Sequence, residues 1–190
     1  MKSLTTASSV HFVNGYAPVA SVMSTSVQDY LNSVTTKTFQ EGTPAFDRLR
    51  CCLLRETEQS LIMSQNCYAR ALEGLRGGSS YWSLVTLYYS AFFSAKAVLG
   101  TYGCWMAGSK KWLEVVDAAS GNIRLQYRTT PYCPQNGSHK VTWIAYYDTM
   151  SALSSFLTST EAVLAKTPVN KSKTWRWSPS GPPLYGNASI

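Results

Sequence analysis

The chain has 190 residues and a formal net charge of +7, with 45% hydrophobic and only 14% charged residues. This length suits one domain with or without tails and allows a sizeable buried core, and the hydrophobic fraction is that of a globular protein. The basic balance is compatible with phosphate backbones or acidic membrane surfaces but is diagnostic of neither. The start of the chain lacks the uninterrupted apolar segment of a secretory signal peptide, so we expect none.

Cysteine usage bears on the cellular compartment and on metal binding. The number of cysteines, five, is odd, no CxxC occurs, and two are adjacent: Cys51, Cys52, Cys67, Cys104 and Cys133. Adjacent residues point about 100° apart on a helix, so Cys51 and Cys52 are poorly placed to bridge each other. We expect reduced, partly buried thiols in a cytoplasmic protein. Neither metal-ligand spacing nor a GxxxxGK loop is present, so we expect no metal and no cofactor.

Residues 1–42 are rich in Ser, Thr and Val, carry few charges and show little regular pattern. We expect a loosely structured N-terminal arm that docks on the rest of the chain through Phe12, Tyr16 and Tyr30. Within it, residues 29–34 are compatible with one helical turn.

A long helix is predicted over residues 45–75. Thr43 and Pro44 resemble a helix start, with Thr43 as the cap and Pro44 in the first turn. Apolar residues at helical spacing predict one buried stripe: Phe46, Leu49, Leu53, Leu61, Tyr68, Leu72 and Leu75. Gly77 and Gly78 end the helix, and this short link predicts that the next helix runs antiparallel to it.

That next helix, residues 79–103, is the longest apolar segment, and its only charged residue is Lys96. Large residues fall on one face: Tyr81, Leu84, Val85, Tyr88, Phe92, Ala95, Leu99 and Tyr102. Because Trp82, Tyr89 and Phe93 form a second apolar face, we expect this helix in the middle of a bundle, with that second face as a candidate dimer or partner surface. Its Ser, Thr and Tyr content and Lys96 argue against a membrane span.

The remainder predicts a small insert and a last helix. Residues 112–117 and 122–128 have strand-like composition around a turn, which favours a β-hairpin, although residues 112–119 could equally form a short helix. The last helix begins near residues 138–142 and ends before Pro168. We therefore predict a mainly α fold, an up-and-down helical bundle over residues 43–167 with a small inserted hairpin or loop before the last long helix. Residues 168–190 form a basic tail rich in Pro, Gly and Ser.

Residues 88–99, YYSAFFSAKAVL, carry a family likeness. They resemble the YYxAFxxAKALL helix of HEPN (higher eukaryotes and prokaryotes nucleotide-binding) domains, and the likeness covers about residues 45–166. The resemblance implies an up-and-down helical bundle that commonly dimerises. Many members of this family are metal-independent RNases of toxin–antitoxin and anti-phage systems, and others are inactive binding modules.

Active members of that family carry Arg, then four to six residues, then His, and this chain departs from the pattern. Its histidines are His11 and His139, and neither has Arg at that spacing. The nearest arginines before His139 are Arg128 and Arg124. These three residues are candidates for an atypical RNase site, with His139 as general acid–base and an arginine stabilising phosphate charge.

Basic residues interleaved with aromatic ones are the stronger signal, because cations and stacking rings together hold single-stranded nucleic acid. The candidate residues for nucleic-acid or partner binding are Arg124, Tyr127, Arg128, Lys140, Lys171, Lys173, Trp175, Arg176 and Trp177. We therefore expect a noncatalytic HEPN-like module, a homodimer that binds a partner protein or RNA in a toxin–antitoxin or antiviral defence complex. The alternative is a metal-independent RNase toxin.

Overall fold

The computed structural model describes residues 3–17, 25–107, 111–119, 121–129 and 137–164, with only the backbone of residues 107, 129 and 152–164. The chain divides into two units, Met1–Ser154 and Ser155–Ile190. Of the second unit, the described part is the helical backbone of residues 155–164. The predicted basic tail, residues 168–190, lies outside the described residues.

The N-terminal arm is more regular than predicted, since it contains helix α1 (Thr6–Asn14), helix α2 (Val27–Ser33) and strand β1 (Thr38–Gln40). The Thr5 and Ser26 side chains cap the two helices by accepting hydrogen bonds from backbone N–H groups two to three residues into each helix. Phe12 and Tyr30 are buried, as expected for docking residues. Phe12 packs edge-to-face on Phe46, with ring centroids 6.1 Å apart.

Helix α3 (Pro44–Arg76) confirms the first predicted long helix and its start. The Thr43 hydroxyl accepts a hydrogen bond from the Phe46 N–H at 3.3 Å, and Pro44 occupies the first turn. Helix α4 (Ser80–Thr101) follows after a turn in which Gly78 has φ +81°, a conformation that favours glycine. The two helices form an antiparallel hairpin, as the short link predicted.

The insert is a β-sheet of four antiparallel strands in the order β1–β4–β3–β2. Its strands after α4 are β2 (Trp105–Ala107), β3 (Lys111–Asp117) and β4 (Arg124–Thr129). The predicted hairpin is therefore confirmed as β3–β4, and the alternative helix over residues 112–119 is wrong. The sheet is larger than predicted because β1 of the N-terminal arm and β2 each add to one edge of the hairpin.

Helix α5 (Ser138–Leu164) is the predicted last helix. The fold is mainly helical, as predicted, with a small antiparallel sheet inserted before α5. Within the described ranges, none of the helices combines the length and the apolar character that crossing a bilayer requires.

The main core lies between the N-terminal arm, the first part of α3 and the sheet. Its largest fully buried side chains include Phe12, Phe39, Phe46, Leu49 and Leu53. A smaller cluster contains Leu99 of α4, Cys104 just before β2 and Ala145 of α5, with Met106 of β2 packed against it. Both clusters lie away from the Gly77–Gly78 turn.

Small residues line the contact between α3 and α4. On α3 they recur at seven-residue spacing as two rows, Thr57, Ser64 and Ala71, and Ser60, Cys67 and Gly74. On α4 the corresponding rows are Ser83, Ser90 and Ala97, and Thr86 with Gly100 fourteen residues later. We call these two sets of residues the seam. Spacing of seven keeps residues on the facing side of paired helices.

Contacts across the seam show how close the two helices are. The Ser90 hydroxyl donates to the Ser64 carbonyl oxygen at 2.9 Å, and the Ser64 and Ser94 hydroxyl oxygens are 2.6 Å apart. A Cβ added at Gly100 would overlap the Thr57 hydroxyl oxygen. Small side chains let helix backbones approach closely, so they leave little room for large residues between the helices.

The predicted buried stripe of α3 is therefore correct only in its first half. Phe46, Leu49 and Leu53 are buried, whereas the later members are 37% to 51% exposed: Leu61, Tyr68, Leu72 and Leu75. The expectation that α4 lies in the middle of a bundle, covered on several sides, does not hold toward its start, where Tyr81 is 73% and Leu84 62% exposed. The cause is the same in both helices, because the seam takes the small residues and the large ones flank it.

Candidate functional site

Large apolar side chains concentrate on the end of the hairpin that lies farthest from the main core. We call residues 60–89 the distal hairpin. Of the 16 large hydrophobic residues that are exposed in the described part of the chain, 12 lie there. They are Leu61, Ile62, Met63, Tyr68, Leu72, Leu75, Tyr81, Trp82, Leu84, Leu87, Tyr88 and Tyr89. Isolated exposed hydrophobic residues are ordinary, but a concentration of this kind marks an interaction surface.

The seam separates two faces of the distal hairpin. At about 100° per residue, Leu61, Tyr68, Leu75 and Leu87 flank one side of the seam, with Leu72 and Leu84 beside them. We call this set of six the leucine face. On the other side lie Met63 of α3 and Trp82, Tyr89 and Phe93 of α4, which we call the aromatic face. The aromatic face contains the three residues that the sequence singled out as a candidate partner surface.

Charge is almost absent from the distal hairpin. Its charged residues are Arg70, Glu73 and Arg76, and residues 77–95 contain none at all. The chain as a whole carries +7. The surface is therefore apolar in an otherwise basic protein, and its contacts would come from burial of apolar area rather than from ion pairing.

His139, the predicted general acid–base, lies in an aromatic cluster at the start of α5. Its ring stacks on Phe92 with centroids 4.2 Å apart, and its Nδ1 lies 3.0 Å from the Tyr88 hydroxyl oxygen. The Trp143 indole N–H donates to the same hydroxyl oxygen at 3.4 Å. Within the described residues, the hydrogen bond and the ring contacts of His139 go to Tyr88, Tyr89 and Phe92 of α4, so this side chain fastens the first turn of α5 to α4.

The two candidate arginines lie on β4. Arg128 forms an ion pair with Glu114 of β3, whose side chain is 5% exposed. Arg124 is exposed and lies four residues before Arg128 on β4, opposite Asp117 of β3. The structure thus gives His139 and Arg128 different partners, and it does not bring the three candidate catalytic residues into one hydrogen-bonded group among the described contacts.

Tyr127, a candidate stacking residue, is 4% exposed and belongs to the main core. The Lys37 and Lys111 ammonium nitrogens lie 5.6 Å and 5.8 Å from its ring centroid. Base stacking needs an open ring face, so this placement removes Tyr127 from the predicted nucleic-acid site.

Lys140 is exposed in the first turn of α5, as a binding residue would be. The other candidates lie outside the described residues: Lys171, Lys173, Trp175, Arg176 and Trp177. Of the predicted basic set, Arg124 and Lys140 are therefore exposed in the described part of the chain, whereas Arg128 is exposed but paired with Glu114.

Four of the five thiols lie in the described part of the chain, where Cys67 is partly buried, and Cys133 lies outside the described residues. Cys51, Cys52 and Cys104 are buried, and burial raises the pKa of Cys52 to about 11 and that of Cys104 to about 12. Such thiols are protonated at neutral pH and are poor nucleophiles. Where the structure describes the chain, His, Cys, Asp and Glu form no cluster of three that could hold a metal ion.

A cleft of about 640 Å³ lies between α2 and the start of α3. Its described lining is Thr25, Tyr30, Ser33, Val34, Pro44, Ala45 and Arg48. The Tyr30 hydroxyl donates to the Ala45 carbonyl oxygen at 2.9 Å, so its polar atom is already paired. The lining brings one cation, Arg48, and no second charged group to this cleft.

Comparison with protein-family models, with curated proteins and with solved structures finds no match for this chain. The HEPN likeness of residues 88–99 therefore stays a prediction.

The distal hairpin is the feature that the apolar periodicity missed. The signal that could have found it is the small-residue spacing, since Thr57, Ser64 and Ala71 on α3 and Ser83 and Ser90 on α4 each recur every seven residues.

Proposed function

We propose that this protein is a noncatalytic binding module whose distal hairpin binds another protein chain. The observation that carries the proposal is the concentration of exposed, almost uncharged apolar side chains on residues 60–89. Monomeric soluble proteins rarely expose contiguous apolar patches of more than a few hundred Å² unless the patch is functional. Burial of such a surface against a partner would release water from it and stabilise the complex.

Two observations bear on the identity of the partner: the HEPN resemblance and the placement of the candidate RNA-binding residues. The HEPN resemblance implies homodimers and a cognate protein of a toxin–antitoxin or anti-phage system, and these, like the cytoplasmic location, stay predictions. RNA binding has lost part of its support, because Tyr127 is buried and Arg128 pairs with Glu114. A protein partner therefore fits the described surface better than RNA does.

The RNase alternative rested on His139 with Arg128 or Arg124. His139 bonds to Tyr88 and stacks on Phe92, while Arg128 neutralises Glu114. Each of these two side chains already has a local stabilising role. Nothing in the described contacts favours an acid–base pair with an arginine beside it, so the noncatalytic module is the function that we propose.

The test is the native mass of the tagged full chain in extract from its own host cells. We expect wild type in a complex heavier than the 21.0 kDa chain. Leu84→Glu should release the chain from the complex, because a carboxylate would be buried without a partner. The matched control is Arg124→Glu, a charge change on the exposed sheet surface, which should keep the complex.

Treatment of the extract with RNase separates protein from RNA partners. The complex should survive that treatment. A complex that RNase dissolves, or a wild-type chain that migrates at its monomer mass, would contradict the proposal.

A further inference from the structure

Resting on the proposed function, we infer that the partner on the leucine face is a second copy of this chain, packed hairpin on hairpin as a two-fold four-helix contact. The aromatic face, which the sequence singled out, is left outside this contact.

A two-fold axis can pair the leucine face of one copy with that of another. The Ser64–Ser90 hydrogen bond and the closeness of Gly74 to Ser83 set the register of the antiparallel pair. This register places Leu72 of α3 level with Leu84 of α4, at a point within the leucine face. A second hairpin turned by a two-fold axis through that point sets each half of the face on the other half, as closed dimers require.

The exposed area matches a weak, reversible dimer. The six leucine-face side chains are between 37% and 62% exposed: Leu61, Tyr68, Leu72, Leu75, Leu84 and Leu87. These fractions amount to roughly 500 Å² per copy, so two copies would bury at most roughly 1,000 Å² of this face, which is the size of a weak interface. Helix backbone and neighbouring polar groups add to this value.

Charge favours this face for contact between identical chains. Each copy carries +7, so two copies repel each other over most of their surfaces. The leucine face itself carries no charged side chain, and the charged groups of the distal hairpin sum to +1. Because added salt screens the repulsion between copies, the dimer should tighten as ionic strength rises, whereas binding to nucleic acid would weaken.

Sedimentation velocity of the purified full chain tests the inference, from about 1 to about 200 µM, a range that brackets the micromolar affinity expected of a small interface. We expect wild type to shift with concentration to twice 21.0 kDa, and to shift at lower concentration when salt is raised. Leu72→Glu and Leu84→Glu should each weaken the dimer at least roughly 100-fold, since a carboxylate would be buried at the contact.

The matched control is Tyr89→Glu on the aromatic face, which should leave the dimer within roughly threefold of wild type, as surface changes outside an interface do. Thermal unfolding of each variant at low concentration shows whether it is folded. A folded variant that dissociates supports the inference. If a glutamate variant fails to fold, Leu72→Ser and Leu84→Ser take its place.

Three results would overturn the inference. The first is a wild-type chain that stays at 21.0 kDa at every concentration. The second is a dimer that Tyr89→Glu breaks and Leu84→Glu keeps. The third is a dimer that added salt weakens. A monomeric purified chain that still enters a Leu84-dependent complex in host extract would overturn the second-copy partner alone and leave the proposed function standing.

Discussion

The two halves of the α3–α4 hairpin have the same apolar periodicity but opposite burial. In the proximal half, Phe46 and Leu53 are fully buried against the N-terminal arm and the sheet. In the distal half, Leu61 of α3 and Leu84 of α4 also belong to the predicted apolar stripes, yet they are 49% and 62% exposed. The difference lies in what packs there, because the seam begins at Thr57, and the turns of α3 before it extend beyond the end of α4 onto the arm and the sheet.

This comparison separates two roles that a helical apolar stripe can have. Between α3 and α4 the contact is made by small side chains, so the large ones are available for a third element. Before Thr57, α3 extends beyond the end of α4, and its large residues pack on the arm and the sheet. In the distal half no described element takes their place, and we propose that another chain does.

The largest expected effect is a contrast between two aromatic truncations. Phe46→Ala should lower the free energy of unfolding by about 3–5 kcal/mol, because it empties a buried site in the main core. Tyr68→Ala should change it by less than about 0.5 kcal/mol in a monomeric Leu84→Glu background, because Tyr68 is 51% exposed. Urea unfolding measures both. Equal losses would show that the distal half is also core.

A second contrast concerns polar anchors. The Glu56 carboxylate accepts hydrogen bonds from the Val27 N–H and the Trp105 indole N–H, each at 2.7 Å, and so ties α2 and β2 to α3. Glu56→Gln replaces one accepting oxygen by a donor and should cost about 1–3 kcal/mol. Glu73→Gln in the exposed distal half is the matched control and should be close to neutral. If Glu56→Gln leaves the free energy of unfolding unchanged, the Glu56 carboxylate does not anchor α2 and β2 to α3.

The seam leaves little room for a side chain at its glycines, so we expect a substitution there to lower the free energy of unfolding. Gly100→Ala would normally stabilise a helix interior, but its Cβ overlaps the Thr57 hydroxyl oxygen, so we expect a loss of about 1–2 kcal/mol. Thr57→Ala in the same chain should recover most of that loss. Gly77→Ala, whose Cβ meets its nearest atom at 3.5 Å, is the control. If Gly100→Ala stabilises the protein in urea unfolding, α3 and α4 are not in close contact at Gly100 and Thr57.

A last expected effect is a pH dependence that comes from two buried thiols. Burial raises the pKa of Cys52 from 9.0 to about 11 and that of Cys104 to about 12. Above pH 9 the unfolded chain has lost protons that the folded chain keeps, so the free energy of unfolding should fall as pH rises. In the double variant Cys52→Ala, Cys104→Ala, that fall should be shallower between pH 9 and 11. An unchanged slope would contradict the burial of these thiols.

Local signals were enough to predict much of the fold. The Thr43–Pro44 start, the Gly77–Gly78 break and the turn between residues 117 and 122 each act through backbone chemistry within a few residues, and each is confirmed. The pairing of β1 with β4 was not predictable, because it joins residues about 85 apart through backbone hydrogen bonds that no side-chain pattern specifies.

The candidate site was less predictable for a related reason. Periodicity identifies an apolar face but does not say what covers it, so Leu61 and Leu84 were assigned to the core together with Leu53. Arg128 and Tyr127 were assigned to a binding site from residue type alone. The ion pair of Arg128 with Glu114 and the burial of Tyr127 in the main core depend on strand register, which residue type does not reveal.

Hydrogen exchange along α3 and α4 tests the central claim most directly, with wild type and Leu84→Glu compared at the same high concentration. We predict that amides of residues 61–89 exchange more slowly in wild type than in the variant, because a second chain covers the distal hairpin. Amides of residues 46–54 should exchange equally in both, since the main core protects them in each protein. Equal exchange over residues 61–89 would contradict the claim.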